Sequence, residues 1–202
     1  TILHMTGLDL RNTPERRIVD LRAAGLRGAR VLGRYAYRAA RPPLPDHRHP
    51  GMIEVCYLDA GRQTYRVGGR TYRLRGGDVF VTLPGEPHST GPDAENPGVL
   101  YWLILTLPAR GGGRLLDLPA RDADALAATF RALPRRHFRG RRTFRADLER
   151  LLADADSSRR GADPLAAVRL RARLLAFLVD VAACAHAAAA RAPDGPSPEV
   201  RR

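Results

Sequence analysis

Lysine is absent from the chain, so all 34 basic residues are arginine, set against 21 acidic ones for a formal net charge of +13. Such an excess invites a nucleic-acid reading. The arginines are dispersed, however, except between Arg135 and Arg142, and they accompany abundant alanine, glycine and proline. That profile is the mark of a GC-rich coding bias, which puts arginine wherever a surface cation is tolerated. Arg135, Arg136, Arg139, Arg141 and Arg142 are accordingly read as a solvated loop. Cysteine is scarce as well: Cys56 and Cys184 lie far apart without metal-type spacing. This excludes a secreted disulfide scaffold and fits a reducing cytoplasm. Long apolar runs are also missing. The first apolar cluster is broken by His4, Asp9 and Arg11, unlike a signal peptide. The most apolar stretch, Leu174–Ala190, is rich in alanine and contains Asp180 and His186, so it reads as a buried or paired helix and not a membrane span. With 44% hydrophobic residues in 202, the chain has material for one medium domain, or one domain with a helical appendix.

The pattern along the chain changes twice. Asn12–Gly25 is predicted as a short helix, with Thr13 as cap, Pro14 in its first turn and Gly25 at its end. Short strands follow: Val31–Arg38, Met52–Asp59, Arg62–Val67, Arg70–Arg75, Asp78–Thr82 and Val99–Leu107. Gly68-Gly69 between two of them signals a hairpin, because a two-residue primed turn needs positive φ. Regularly spaced short strands with glycine turns predict an all-β barrel or sandwich. Beyond Pro108 the period becomes helical, with helices expected over Arg121–Leu133, Arg142–Ala155 and Asp163–Ala190, the last capped by Asp163. The expected organisation is an N-terminal arm with its short helix over 1–30, a β-barrel over 31–108, a helical region over 109–191 and a proline-rich linker over 192–202.

The candidate chemistry lies in the barrel. His47 and His49 are two apart, so on an extended strand their side chains leave the same face. Glu54 has the opposite parity, but Pro50-Gly51 interrupts the strand and lets the register reset. Gly61 is expected to end that strand, and His88 arrives after the tight Pro84–Pro87 turn. Three imidazoles and a carboxylate make a candidate site for one divalent transition metal, Zn, Ni, Fe or Mn. The competing reading is a cluster hydrogen-bonded to itself or to water. Tyr35, Tyr37, Cys56, Tyr65 and Trp102 are candidates for lining an effector pocket, with Tyr101 as a further aromatic of that region. Cys56 is more readily a small buried hydrophobe than a reactive thiol.

This spacing resembles the cupin superfamily. His47-Arg48-His49, four residues, Glu54, six residues and Gly61 fit its first motif throughout. Gly77, five residues, Leu83-Pro84-Gly85, two residues and His88 fit the second in spacing, with Leu83 in place of a proline and Pro92 in place of an asparagine. Within that superfamily the chain resembles the regulatory domain of AraC-type transcription regulators. The likeness runs through Leu44–His49, Glu54–Tyr57, Gly76–Phe80, Pro84–Ser89 and Leu133–Phe138. It implies a mainly β fold, a cupin double-stranded β-helix (jelly-roll) barrel followed by C-terminal α-helices. It implies a small-molecule effector in the barrel, homodimerisation by the trailing helices, and DNA binding only through a C-terminal helix-turn-helix domain, with no catalysis and no membrane. The start at Thr1 and the closing Ser197–Arg202 are read as the cut ends of such a regulator. Ala167, Leu170, Leu174, Phe177, Val181, Cys184 and Ala188 form a heptad-like seam on the last helix. Leu170, Leu174, Phe177 and Val181 are the expected dimer contacts, although the same seam suits packing on the chain's own barrel. The rival functions are a metal-dependent cupin dioxygenase or isomerase and a stand-alone small-molecule-binding cupin. The long helical tail favours the regulator.

Overall fold

A computed structural model describes residues 8–109, 111, 115–161 and 163–191. The expected linker over 192–202 lies outside the described residues. Among the described residues are eight strands: β1 (Arg16–Asp20), β2 (Ala29–Tyr37), β3 (Met52–Val67), β4 (Arg70–Arg75), β5 (Asp78–Thr82), β6 (His88–Ser89), β7 (Gly98–Thr106) and β8 (His137–Arg139). Three helices join them: α1 (Ala120–Arg131), α2 (Phe144–Arg160) and α3 (Ala166–Ala190). The sheet order is β1-β2-β7-β3-β5-β8, all neighbours antiparallel. The long β3 belongs to two layers. Its first half pairs with β5 and β7, and its second half with β4 and β6, which rolls the sheet into the cupin barrel.

Alternation along β3 divides the interior into two cores. Ile53, Val55 and Tyr57 face the helices, in a large core shared with Phe138, Phe144, Leu148, Leu170, Leu174 and Phe177. Cys56 and Leu58 face inward, with Tyr35, Tyr65, Phe80, Leu100 and Trp102. Tyr101 faces the helices too, donating its hydroxyl to Glu149 of α2 at 2.5 Å, so it is no part of the barrel lining. The hairpin at Gly68-Gly69 forms as the spacing predicts, with φ of 55° and 76°.

Several expectations are corrected. Asn12–Gly25 is not a helix: β-branched Ile18 and Val19 pair with β2 as β1. Asn12, a helix-capping residue type, instead accepts the Ile18 N–H at 2.6 Å, and Gly25 (φ 83°) closes a turn. Gly61 does not end its strand. It lies past a bulge between Leu58 and Ala60, where a side chain would strike the Pro97 carbonyl, so β3 continues to Val67. The arginine-rich run is no free loop. It contains β8, which pairs with β5, and Arg136, Arg139 and Arg141 bind Glu86, Asp78 and Asp180. Helix α3 begins after Asp163, whose carboxylate accepts the Leu165 N–H at 2.8 Å.

The expected dimer contacts are also corrected. Leu170, Leu174, Phe177 and Val181 are all buried inside this chain, in the core between α2, α3 and the sheet. A spacing of three and four residues marks one helix face without saying what covers it. Here the chain covers it itself, so these four side chains are not open to a second copy. The opposite face of α3 carries the exposed Leu165, Val168 and Val179.

Candidate metal centre and effector cavity

His47 lies in an extended approach and exchanges backbone hydrogen bonds with His88, at 3.1 and 2.9 Å. The two rings consequently sit with centroids 4.1 Å apart. The Pro50-Gly51 turn, with Gly51 at φ 67°, is closed by the Met52 N–H on the His49 carbonyl at 3.1 Å. It turns the chain so that Glu54, on the inward face of β3, meets His49. The four residues thus converge, with one potential ligand atom from each lying within 4.8 Å of the others.

The tautomers are arranged from behind. The Nδ1 of His88 lies 3.0 Å from the Glu86 carbonyl, and that of His47 lies 3.0 Å from the Pro45 carbonyl. A carbonyl only accepts, so each Nδ1 carries the proton and each Nε2 faces the cluster. This is the outer-shell arrangement that prepares imidazoles for a metal. The turn bearing His88 is itself clamped: Glu86 accepts the Leu83 N–H at 2.7 Å and both guanidinium arms of Arg136 at 2.7 and 2.8 Å. Bonds of about 2.0–2.2 Å put two donors at most about 4.4 Å apart across an ion, so donors as far apart as 4.8 Å must draw together by about 0.4 Å or more around a cation. Donor types, orientation and spacing therefore fit one divalent transition metal.

Without a metal, the cluster takes up a second proton on His88. As an imidazolium it donates from Nδ1 to the Glu86 carbonyl and from Nε2 to Glu54 Oε2 at 2.9 Å, and His49 Nε2 stands 3.6 Å from the same oxygen. Burial alone would raise the Glu54 carboxyl, but the hydrogen bonds and charges of His49 and His88 hold it well below the usual carboxylate range. Burial would lower His88, yet the Glu54 partner raises it on balance. His47 is lowered by burial and by the neighbouring His88.

Beside the cluster opens a cavity of about 300 Å³. Tyr35, Tyr37, Tyr65 and Trp102 line it together with His47, His49 and Glu54. Cys56 does not. It lies beneath Tyr65, whose hydroxyl points at its sulfur at 3.7 Å, and burial pushes the thiol well up, which makes it inert. Three charged lining residues went unnoticed in the sequence: Asp9, Arg16 and Glu95. Arg16 was hidden by the helical reading of its strand, and Asp9 and Glu95 come from irregular segments that carry no periodic signal.

Residues 32–174, well over half of the chain, match the family described as the AraC-like ligand-binding domain. The chain belongs to that family. No curated protein matches the domain in sequence. Among solved structures it is similar to a predicted oxalate decarboxylase from Thermotoga maritima, at 25% identity over 40% of this chain and 69% of the other, with a TM-score of 0.35. It is also similar to KdgF from a Halomonas species, at 19% identity, 48% and 73% coverage and a TM-score of 0.30. An RmlC-like cupin from Shewanella frigidimarina is similar at 18% identity, 47% and 69% coverage and a TM-score of 0.30.

Proposed function

We propose that this AraC-like domain is the effector-sensing and dimerising part of a transcription regulator that acts in the cytoplasm and reaches DNA through a separate helix-turn-helix domain. The observation that carries the reading is the cavity: it opens beside the His47, His49, Glu54 and His88 cluster, in a barrel whose outer wall is covered by helices. A divalent transition metal bound by those four residues would supply a Lewis-acid anchor for a polar atom of the effector. The protein's own share is to orient the imidazoles through Pro45 and Glu86, to enclose the ligand between aromatic walls, and to hold the barrel against α2 and α3.

Dimerisation belongs to the outward face of α3. Val168, Ala172 and Val179 are exposed there, and with the half-buried Leu175, which also packs on the chain's own core, they recur at intervals of four, three and four, a spacing suited to a paired helix. Leu165, Val168 and Val179 are about three-fifths exposed (60%, 59% and 58%). A second copy of the same helix is the occupant this reading assigns. Sedimentation at micromolar protein is expected to show a dimer that Val179→Arg dissociates; a wild-type monomer rejects this part.

The sensing role is tested with a metabolite panel, against protein loaded in turn with Zn, Ni, Fe(II) or Mn. A raised melting temperature with the compound recovered unchanged is the expected result. Recovery of a converted compound would instead establish the metal-dependent enzyme, which the three-histidine, one-carboxylate cluster makes the second reading.

A further inference from the structure

Charge inside the cavity is unevenly settled. Asp9 and Arg16 pair with each other, and Glu54 is engaged by His49 and His88. Glu95 also lines the cavity, and among the described residues its carboxylate has no hydrogen bond and no ion pair. It is held there by design of the backbone: Arg41 and Glu95 exchange N–H to carbonyl bonds at 2.9 and 3.1 Å. The next residue, Asn96, donates its N–H to the buried Gln63 side chain at 3.0 Å. Glu95 shares the cavity lining with Tyr35, Tyr37 and Trp102, and burial pushes its carboxyl up against the weaker opposing pull of Arg16.

We propose that the effector is a small organic cation, an ammonium group on an apolar or aromatic body, seated with its charge on Glu95 between Tyr35, Tyr37 and Trp102. This rests on the reading of the cavity as the effector pocket. Tyr35 and Tyr37 stack at 4.0 Å, and Trp102 lies 6.2 Å from Tyr35. Electron-rich ring faces attract cations, and these already do so: the Arg16 guanidinium lies 5.2 Å from the Trp102 ring centre and that of Arg41 5.4 Å from Tyr37. Val31, Leu44, Leu100 and Ile104 offer the apolar body its surface. An anionic ligand fares worse beside Glu95. Its one cationic partner in the lining, Arg16, is committed to Asp9, and Glu95 repels it. A neutral hydroxyl donates a hydrogen bond to Glu95 but leaves the half-buried carboxylate without a close counterion, so it returns less than an ammonium does.

The chain's single tryptophan is Trp102, so its emission reports occupancy of the cavity directly. The test titrates the protein with 2-phenylethylamine, 2-phenylethanol and phenylacetate, one body with positive, neutral and negative heads. The amine is expected to bind about ten-fold or more tightly than the alcohol, with the acid weakest. Glu95→Gln is expected to remove that ten-fold preference and leave the alcohol's affinity unchanged, while Glu95→Asp retains part of it. Thermal melts verify that each variant is folded, and the comparison of three probes on the wild type needs no variant at all. Equal or tighter binding of the alcohol or the acid, or an amine affinity indifferent to Glu95→Gln, overturns the cation and leaves the effector pocket standing. If none of the three perturbs Trp102, both fall.

Discussion

The two faces of one sheet lead different lives. Outward, between strands and helices, the core is apolar and closed: Val55, Leu103, Leu148, Leu152, Leu174 and Leu178 are almost wholly buried, with Phe144 and Phe177 packed among them. Inward, the barrel holds stacked aromatics, an ion pair between Glu54 and His88, and a cavity of about 300 Å³. Both faces come from the same strands, residue by residue. The difference shows how the domain divides its labour: the outer core supplies stability, and the inner one keeps room and unsatisfied chemistry for a ligand.

The sharpest way to break that division is to damage the outer core. Phe177→Ala removes a ring packed 4.9 Å from Phe144 and is expected to cost about 3–5 kcal/mol in urea unfolding. Gly33→Ala attacks the wall between the faces. A Cβ there would stand 2.1 Å from the Trp102 indole, so the ring must move, at about 1–3 kcal/mol, with a shift in tryptophan emission as its signature. An unchanged spectrum would show that the strands yield and not the indole.

Arg136→Ala acts at the rim. It frees Glu86, loosens the turn bearing His88, and is expected to lower affinity for zinc by about ten-fold, measured by competition with a chelating dye, with little loss of stability. Equal zinc affinity would mean that the backbone pairing of His47 and His88 suffices. The smallest effect is a pH dependence. Burial would raise Asp78, but the Arg75 N–H, His137 and Arg139 overcome it and hold its carboxyl below the ordinary 3.8. A depressed value stabilises the folded state above the ordinary range, and the contribution is lost as pH falls through the folded value. Between pH 6 and pH 3, wild type should therefore lose more stability than Asp78→Asn in parallel urea titrations.

The inner site was legible where its information is local. The His47-Arg48-His49 spacing, the Pro50-Gly51 break and the Pro84–Pro87 turn each dictate a direction within a few residues, and the four ligand candidates meet. Glu95 and Asp9 were not legible, because their place depends on irregular chain brought back from a distance. Arg16 was lost when Thr13 and Pro14 were weighed as helix signals above the β-branched pair Ile18-Val19. The three-residue β8 is too short for any periodicity, and exists because β5 offers it an edge. The seam from Leu170 to Val181 was visible as a stripe, but a stripe is a request for cover, and two surfaces could have answered it.

The clamp between Arg136 and Glu86 bears on how the molecule is made. The turn that presents His88 is secured by a residue 50 positions beyond Glu86, and the sheet edge at β5 is closed by β8, which follows α1. A nascent chain that has emerged only as far as Leu107 holds every histidine of the site and neither of these fastenings. The Arg136 clamp and the β8 pairing form only after the segment around Arg136 has left the ribosome, and until then the edge of β5 that β8 covers is open to a chaperone or to a neighbouring nascent copy.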